Sequence, residues 1–148
     1  MYNRILIPVD GSAASSRACT EAIKLAVDQK ARIRLLCVVS YSYLSAVLGG
    51  AVTGDLLRRV RADAQASLDA AQAEARKAEL EVEAGVLEHH GTQIGEAIVE
   101  YAKKWNAELI VMGTHGRRGF ARATLGSDAT YVAMHAPTPV LLVRGTSV

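Results

Sequence analysis

The sequence predicts an α/β fold, a mostly parallel sheet with helices on both faces, and three observations carry that expectation. Five short apolar runs recur along the chain, several of them near-continuous Ile, Leu and Val, as in strands buried on both faces. Segments of helical periodicity separate them. The alternation β-α-β-α-β-α-β-α-β is the pattern of successive right-handed crossovers. No linker or internal repeat interrupts it, so the 148 residues are expected to form one domain, 1–148, around one core.

The strand runs are Arg4–Val9, Ile33–Val39, Val82–His89, Leu109–Met112 and Val140–Val143. The third differs from the rest: Val82, Ala84 and Val86 alternate with polar residues, which predicts an edge strand with one wetter face. In Ser12–Lys30, Cys19, Ile23, Ala26 and Val27 are expected on one helix face. In Asp55–Glu81, Leu57, Val60, Ala64, Leu68, Ala71 and Ala75 form a continuous stripe among strong helix formers, the pattern of a helix packed on a sheet. Thr92–Asn106 repeats the pattern with Ile94, Ala97, Ile98, Tyr101 and Trp105. The last helix, Ser127–His135, stops before Pro137, which cannot continue it. Ser40–Gly54 is apolar, glycine-bearing and without clear period, and reads as a long mobile loop with at most a helical turn.

Bulk composition narrows the function. A formal net charge of +2 lacks the dense basic face of a nucleic-acid binder. The arginines are scattered apart from Arg58, Arg59 and Arg61 on one helix and Arg117, Arg118 and Arg122 in a late loop. No apolar run has the length of a membrane span or a signal-peptide core, so a cytoplasmic protein without membrane partner is expected. Cys19 and Cys37 sit inside apolar patterns, as reduced core thiols do. The four histidines match no zinc spacing, so no structural metal is expected; His115 alone lies in the loop discussed next.

Chemistry concentrates in the segment from Gly113 to Ser127, between the fourth strand and the last helix. Glycines at both ends let the backbone turn and approach a ligand without an intervening Cβ. Gly126 and Ser127 fall at a helix start, where amides and the helix dipole favour an anion; Ser127 is placed either to cap the helix or to donate to a phosphate oxygen. Arg117 and Arg118 are placed to add charge-assisted contacts. The parts describe a phosphate cradle, yet neither a Walker loop nor a dinucleotide fingerprint is present. The second signal is the turn Pro8-Val9-Asp10-Gly11-Ser12. A carboxylate at the end of a central strand points into the crevice where open α/β sheets bind ligands, and suits a ribose hydroxyl or a base amino group. Ser12 reads as a helix cap.

The start Ile5-Leu6-Ile7-Pro8-Val9-Asp10-Gly11-Ser12 resembles the opening of universal stress proteins. Gly113, Gly116, Gly126 and Ser127 match that family's nucleotide motif G-x2-G-x9-G-[ST], and His135-Ala136-Pro137-Thr138-Pro139-Val140-Leu141-Leu142-Val143 resembles its usual ending. The likeness covers essentially the whole chain. It implies a five-stranded parallel sheet of order 3-2-1-4-5 and a homodimer paired through the last strand. In the ATP-binding branch of the family, Asp10, with Pro8 and Val9 beside it, would contact the ribose or adenine end. Backbone at Val38 and Val39 would meet the base. Gly113, Gly116, Gly126 and Ser127, following Met112, would hold the phosphates, with His115, Arg117, Arg118 and Asp128 nearby. ATP, accompanied by Mg²⁺, is the implied ligand. Asp128 stands where relatives often carry a small or apolar residue. Its charge would repel a triphosphate or help hold the metal.

Three functions fit these residues: an ATP-dependent regulatory module of the stress response, a slow ATPase or phosphotransferase using the same loop, and a dimeric interaction protein with a vestigial pocket. The efficient NTPase pattern of lysine and arginine finger is missing, and efficient catalysis is not expected. Only His115, Asp10 and Asp128 are candidates to position water or an acceptor.

Overall fold

The computed structural model describes residues 1–116 and 125–145. Its five strands are β1 (Arg4–Pro8), β2 (Arg32–Ser40), β3 (Val82–His89), β4 (Leu109–Gly113) and β5 (Val140–Val143). The helices are α1 (Ala13–Gln29), α2 (Tyr41–Leu48), α3 (Gly54–Lys77), α4 (Ile94–Trp105) and α5 (Ser127–His135). All strand pairings are parallel, in the order β3-β2-β1-β4-β5. The expected sheet and strand order are therefore observed.

Period-2 alternation divides the central strands between two cores. Ile5, Ile7, Ile33, Leu35, Leu109 and Val111 face α1 and α3. Leu6, Leu36, Ile110 and Met112 face the other side, with Ile98 and Val99 of α4 and Ala129 and Val132 of α5. Small residues on α1 (Ala18, Ala22 and Ala26, each fully buried) bring that helix close to the sheet. On α3 the expected stripe is inward: Ala64, Leu68, Ala71 and Ala75 are buried, with Leu57 and Val60 packed at the margin. β3 is an edge strand whose Val82, Ala84 and Val86 lie against the α1/α3 core while Glu83 and Glu88 are exposed.

Three local expectations are corrected. Val27 is 51% exposed and belongs to the outer face of α1, because Ala22, Ile23 and Ala26 already fill the approach to the sheet. The α3 helix ends at Lys77, since Glu79 adopts a left-handed φ of 57° that an α-helix does not accommodate. Ser40–Gly54 is not simply a loop. Ser40 Oγ accepts from Tyr43 N at 3.1 Å to cap α2, and Gly49, at φ 68°, ends it. The helix is anchored from outside: Tyr41 donates to Glu88 Oε2 at 3.0 Å, Arg61 of α3 donates to Glu88 and to Tyr41 Oη at 2.6 Å each, and Ser42 donates to the His90 carbonyl.

Both cysteines are buried and neither is in a disulfide, and burial, with Glu74 adding to it, pushes the Cys19 thiol up to about 12. Cys19 is expected to stay unmodified by a thiol reagent at neutral pH in the native chain and to react after unfolding; rapid native labelling contradicts this packing. Leu68→Ala, at a fully buried position, is expected to cost about 3 kcal/mol, read as a lower urea midpoint at unchanged slope.

Candidate functional site

The strand order reverses between β1 and β4, and their carboxyl ends flank the crevice there. On the β1 side the chain turns at once. Gly11 takes φ 79°, a left-handed conformation suited to glycine. Asp10 Oδ1 accepts from Ser12 N at 2.9 Å, Ser12 Oγ accepts from Ser15 N at 3.1 Å, and Ser15 Oγ accepts from Asp10 N at 3.2 Å. This closed circuit starts α1 and fixes the Asp10 carboxylate at the mouth of the sheet. Ser12 is the N-cap the sequence predicted. Ser15, 4% exposed, completes the circuit and was not anticipated; in sequence it is one of two adjacent serines on a helix.

On the β4 side, Gly113 is where two elements nearly touch. A Cβ there would lie 2.8 Å from the Ala14 carbonyl carbon and 2.9 Å from Ser15 N, so any side chain would push α1 from the sheet. The loop then bends back over Asp10: a Cβ on Gly116 would stand 2.9 Å from Asp10 Oδ2, and Ser12 Oγ donates to the His115 carbonyl at 3.4 Å. Thr114, 7% exposed, organises the far side, a role the sequence reading missed although it lies inside the glycine motif. Its N–H donates to the Val143 carbonyl at 2.9 Å, and its own carbonyl accepts from Gly126 N at 2.7 Å. Gly126 is packed closely enough that a Cβ would meet that carbonyl at 3.1 Å. The start of α5 is thus pinned beside the end of β4.

The expectation for Ser127 is corrected in one respect. Gly126 is the N-cap of α5, Ser127 is its first helical residue, and no side chain among the described residues caps this end. Ser127 is exposed at that terminus. Arg117 and Arg118 lie outside the described residues. His115 Nδ1 pairs with Thr114 Oγ1 at 3.0 Å, while its buried Nε2 has no hydrogen-bond partner among the described residues.

Along β2, even-numbered residues turn their backbone toward β1 and odd-numbered ones toward β3. The Leu36 carbonyl accepts from Val9 N at 2.8 Å, whereas Ile33 N donates to the Glu81 carbonyl at 3.0 Å. Pairing of β2 with β1 ends at Pro8 and Leu36, but pairing with β3 runs on to Ser40 and His89. By this alternation the Val38 backbone faces the crevice beyond β1, and that of Val39 faces β3 while its side chain is buried in the α1/α3 core. Pro8 ends β1 and Val9 follows it; the Val9 side chain is buried in the α1/α3 core and that of Met112 in the core on the opposite face.

Asp128 does not point freely at solvent. Its Oδ1 accepts from Gly95 N, 3.2 Å away at the start of α4. Burial raises its pKa above the ordinary aspartate value, the Gly95 bond lowers it, and the Asp10 carboxylate raises it further; the net shift is upward. Among the described residues no group of three or more His, Cys, Asp or Glu side chains is placed to hold a metal ion. Asp10 and Asp128 carry hard oxygen atoms of the kind Mg²⁺ favours, and two carboxylates fall short of the ligand set of a resident ion. An open cleft of about 660 Å³ lies at the other end of the sheet, lined by Met1, Tyr2, Asp28, Gln29 and Lys30, away from all of these groups.

Residues 1–144 match the model of the universal stress protein family. A universal stress protein of Methanocaldococcus jannaschii is 33% identical over 144 residues, covering 97% of this chain and 83% of its own length. A crystal structure of a universal stress protein family member from Burkholderia pseudomallei superposes with a TM-score of 0.76 at 29% identity, over 96% of both chains. A universal stress protein solved in complex with cAMP superposes at 0.70 with 25% identity, over 98% of both chains.

Two tests follow from this geometry. Gly113→Ala is expected to destabilise the fold by ~1–3 kcal/mol, because the new Cβ meets backbone that must move; an unchanged urea midpoint contradicts the close approach. Asp128 has a raised folded pKa, so the fold favours its protonated form. That contribution is present below the ordinary aspartate pKa and is lost as pH rises through the higher folded value. Asp128→Asn is therefore expected to gain stability relative to wild type between acid pH and neutrality, measured by urea unfolding at several pH values. A pH-independent difference contradicts the assignment.

Proposed function

The chain belongs to the universal stress protein family, and from that premise we propose that it binds an adenine nucleotide, ATP with Mg²⁺, at the carboxyl end of β1 and β4. In this reading it works as a cytoplasmic nucleotide-dependent regulatory module of the stress response. The observation that carries the reading is convergence. The Asp10 carboxylate, the glycine turn at Gly116 and the uncapped start of α5 meet where the strand order reverses. A helix start without a side-chain cap, reached through glycines, suits phosphate oxygens. The cAMP complex of a similar protein supports an adenine nucleotide as the class.

The roles follow from position. The Asp10 carboxylate takes the ribose or base end, and the Val38 backbone offers the base a donor and an acceptor. Gly113 lets α1 close on the end of β4 and Gly116 turns the chain over Asp10. Gly126 and Ser127 present the α5 amides to the phosphates, and Arg117 and Arg118, outside the described residues, are assigned added positive charge from the sequence alone. Mg²⁺ would offset phosphate charge when bound with the nucleotide. Occupancy switches a partner surface only if the two states of the protein differ in nucleotide affinity. The outer edge of β5, where Leu141 is 39% exposed, is the surface proposed to pair with a second copy. His115 Nε2, buried and without a hydrogen-bond partner among the described residues, favours a second reading, slow phosphoryl transfer; phosphate release above that of Gly116→Val would support it.

Calorimetric titration of nucleotide-free protein with ATP and Mg²⁺ tests the binding. Saturable 1:1 heat is expected, with Gly126→Val, titrated well below its melting transition because its Cβ crowds the Thr114 carbonyl, weakening affinity by at least ~10-fold. Equal affinity of Gly126→Val and wild type would sink the phosphate assignment, and no heat at millimolar ATP would leave an interaction protein with a vestigial pocket.

A further inference from the structure

Asp128 occupies the first turn of α5, beside the proposed phosphate position, yet its carboxylate is committed elsewhere. Gln93, the N-cap residue of α4, supplies no side-chain cap, and Asp128 fills that role from a neighbouring helix by accepting from Gly95 N. The contact depends on close packing: a Cβ on Gly95 would stand 2.9 Å from Tyr131 Cβ and 3.1 Å from the Asp128 carbonyl. The carboxylate is held against the start of α4 by the bond to Gly95 N. It also senses Asp10, whose Oδ2 is the atom that a Cβ on Gly116 would meet. Two carboxylates, one fixed by the α1 turn and one by the start of α4, are thus near enough to interact, and Asp128 is the one in the first turn of α5.

Resting on the nucleotide reading, we infer that Asp128 is a specificity-determining residue: it disfavours an uncompensated triphosphate, so that ATP is accepted as its divalent-cation complex while AMP binds with or without the cation. Each added phosphate brings negative charge toward a fixed negative group across a partly buried crevice, where screening is weaker than in bulk water. A divalent cation offsets that charge, with Asp128 and Asp10 as favourable neighbours for it rather than as a complete ligand set. The residue has a second task, ordering α4, which explains why a like charge stands beside an anion site. α4 would otherwise begin without any side-chain cap.

The test compares wild type and Asp128→Asn by calorimetry with three ligands: AMP, ATP in EDTA, and ATP with Mg²⁺. Asparagine keeps an oxygen acceptor for Gly95 N while removing the charge. The variant is expected to bind metal-free ATP roughly 3- to 10-fold more tightly than wild type, with AMP and the magnesium complex changed by less than about 2-fold. Equal shifts for all three ligands, or none, assign Asp128 a structural role only; the inference then fails and the nucleotide reading stands. No binding of any ligand to wild type overturns both. Wild type alone gives an independent check, since AMP must bind more tightly than metal-free ATP, and the reverse order overturns the inference. Asp128→Ala separates the two tasks: it lacks the acceptor and is expected to lower the melting temperature, which Asp128→Asn does not.

Discussion

The contact between Gly113 and the start of α1 governs this molecule's functional end. Parallel pairing of β1 with β4 sets α1 over the end of β4, and only a residue without Cβ lets Ala14 and Ser15 come within van der Waals limits of that strand. Three consequences follow from this one approach. The Asp10 turn is held near the loop that leaves β4. That loop is short of space, so Gly116 must pass over the Asp10 carboxylate without a side chain. The chain then returns through Gly126, tied to Thr114, and begins α5 next to β4. Sheet topology brings the two segments together, and glycine makes the distance between them small.

The same economy appears in the helix ends. α1 is capped by its own Ser12, α2 by Ser40 and α3 by Thr53, all local side chains of the kind that favour helix starts. The two helices on the other face depart from this. α4 receives its cap from Asp128, and the N-cap of α5 is Gly126, which has no side chain to supply one. Among the described residues the α5 terminus therefore lacks the local side-chain cap that the starts of α1, α2 and α3 have. A stability device at α4 and the proposed binding end of α5 meet in one residue, Asp128, whose acceptor oxygen serves the first and whose charge bears on the second.

Much of this was legible from residues. Ile, Leu and Val runs marked all five strands, and alternation in Val82, Ala84 and Val86 marked β3 as an edge, because burial on one or two faces leaves a period in the sequence. The glycine spacing located the loop, and Asp10 the opposing turn. What escaped depends on partners distant in sequence. α2 carries no buried residue and little period; it exists through Ser40, Gly49 and the Tyr41–Glu88–Arg61 contacts, which join three separate elements. The charge of Asp128 was visible but its partner was not, since Gly95 lies 33 residues earlier. Likewise, the difference between Val38 and Val39 arises from where β1 stops pairing, which neither valine reveals by itself.

The central claim, that the carboxyl end of β1 and β4 is the ligand site, is tested most directly by following backbone amide shifts during titration with ATP and Mg²⁺. The account predicts saturating shifts at Gly11, Ser12, Thr114–Gly116 and Ser127–Asp128, with Val38 included and Tyr2 and Lys30 at the opposite end unmoved. Shifts confined to Tyr2, Asp28 and Lys30, or none at all, would contradict it.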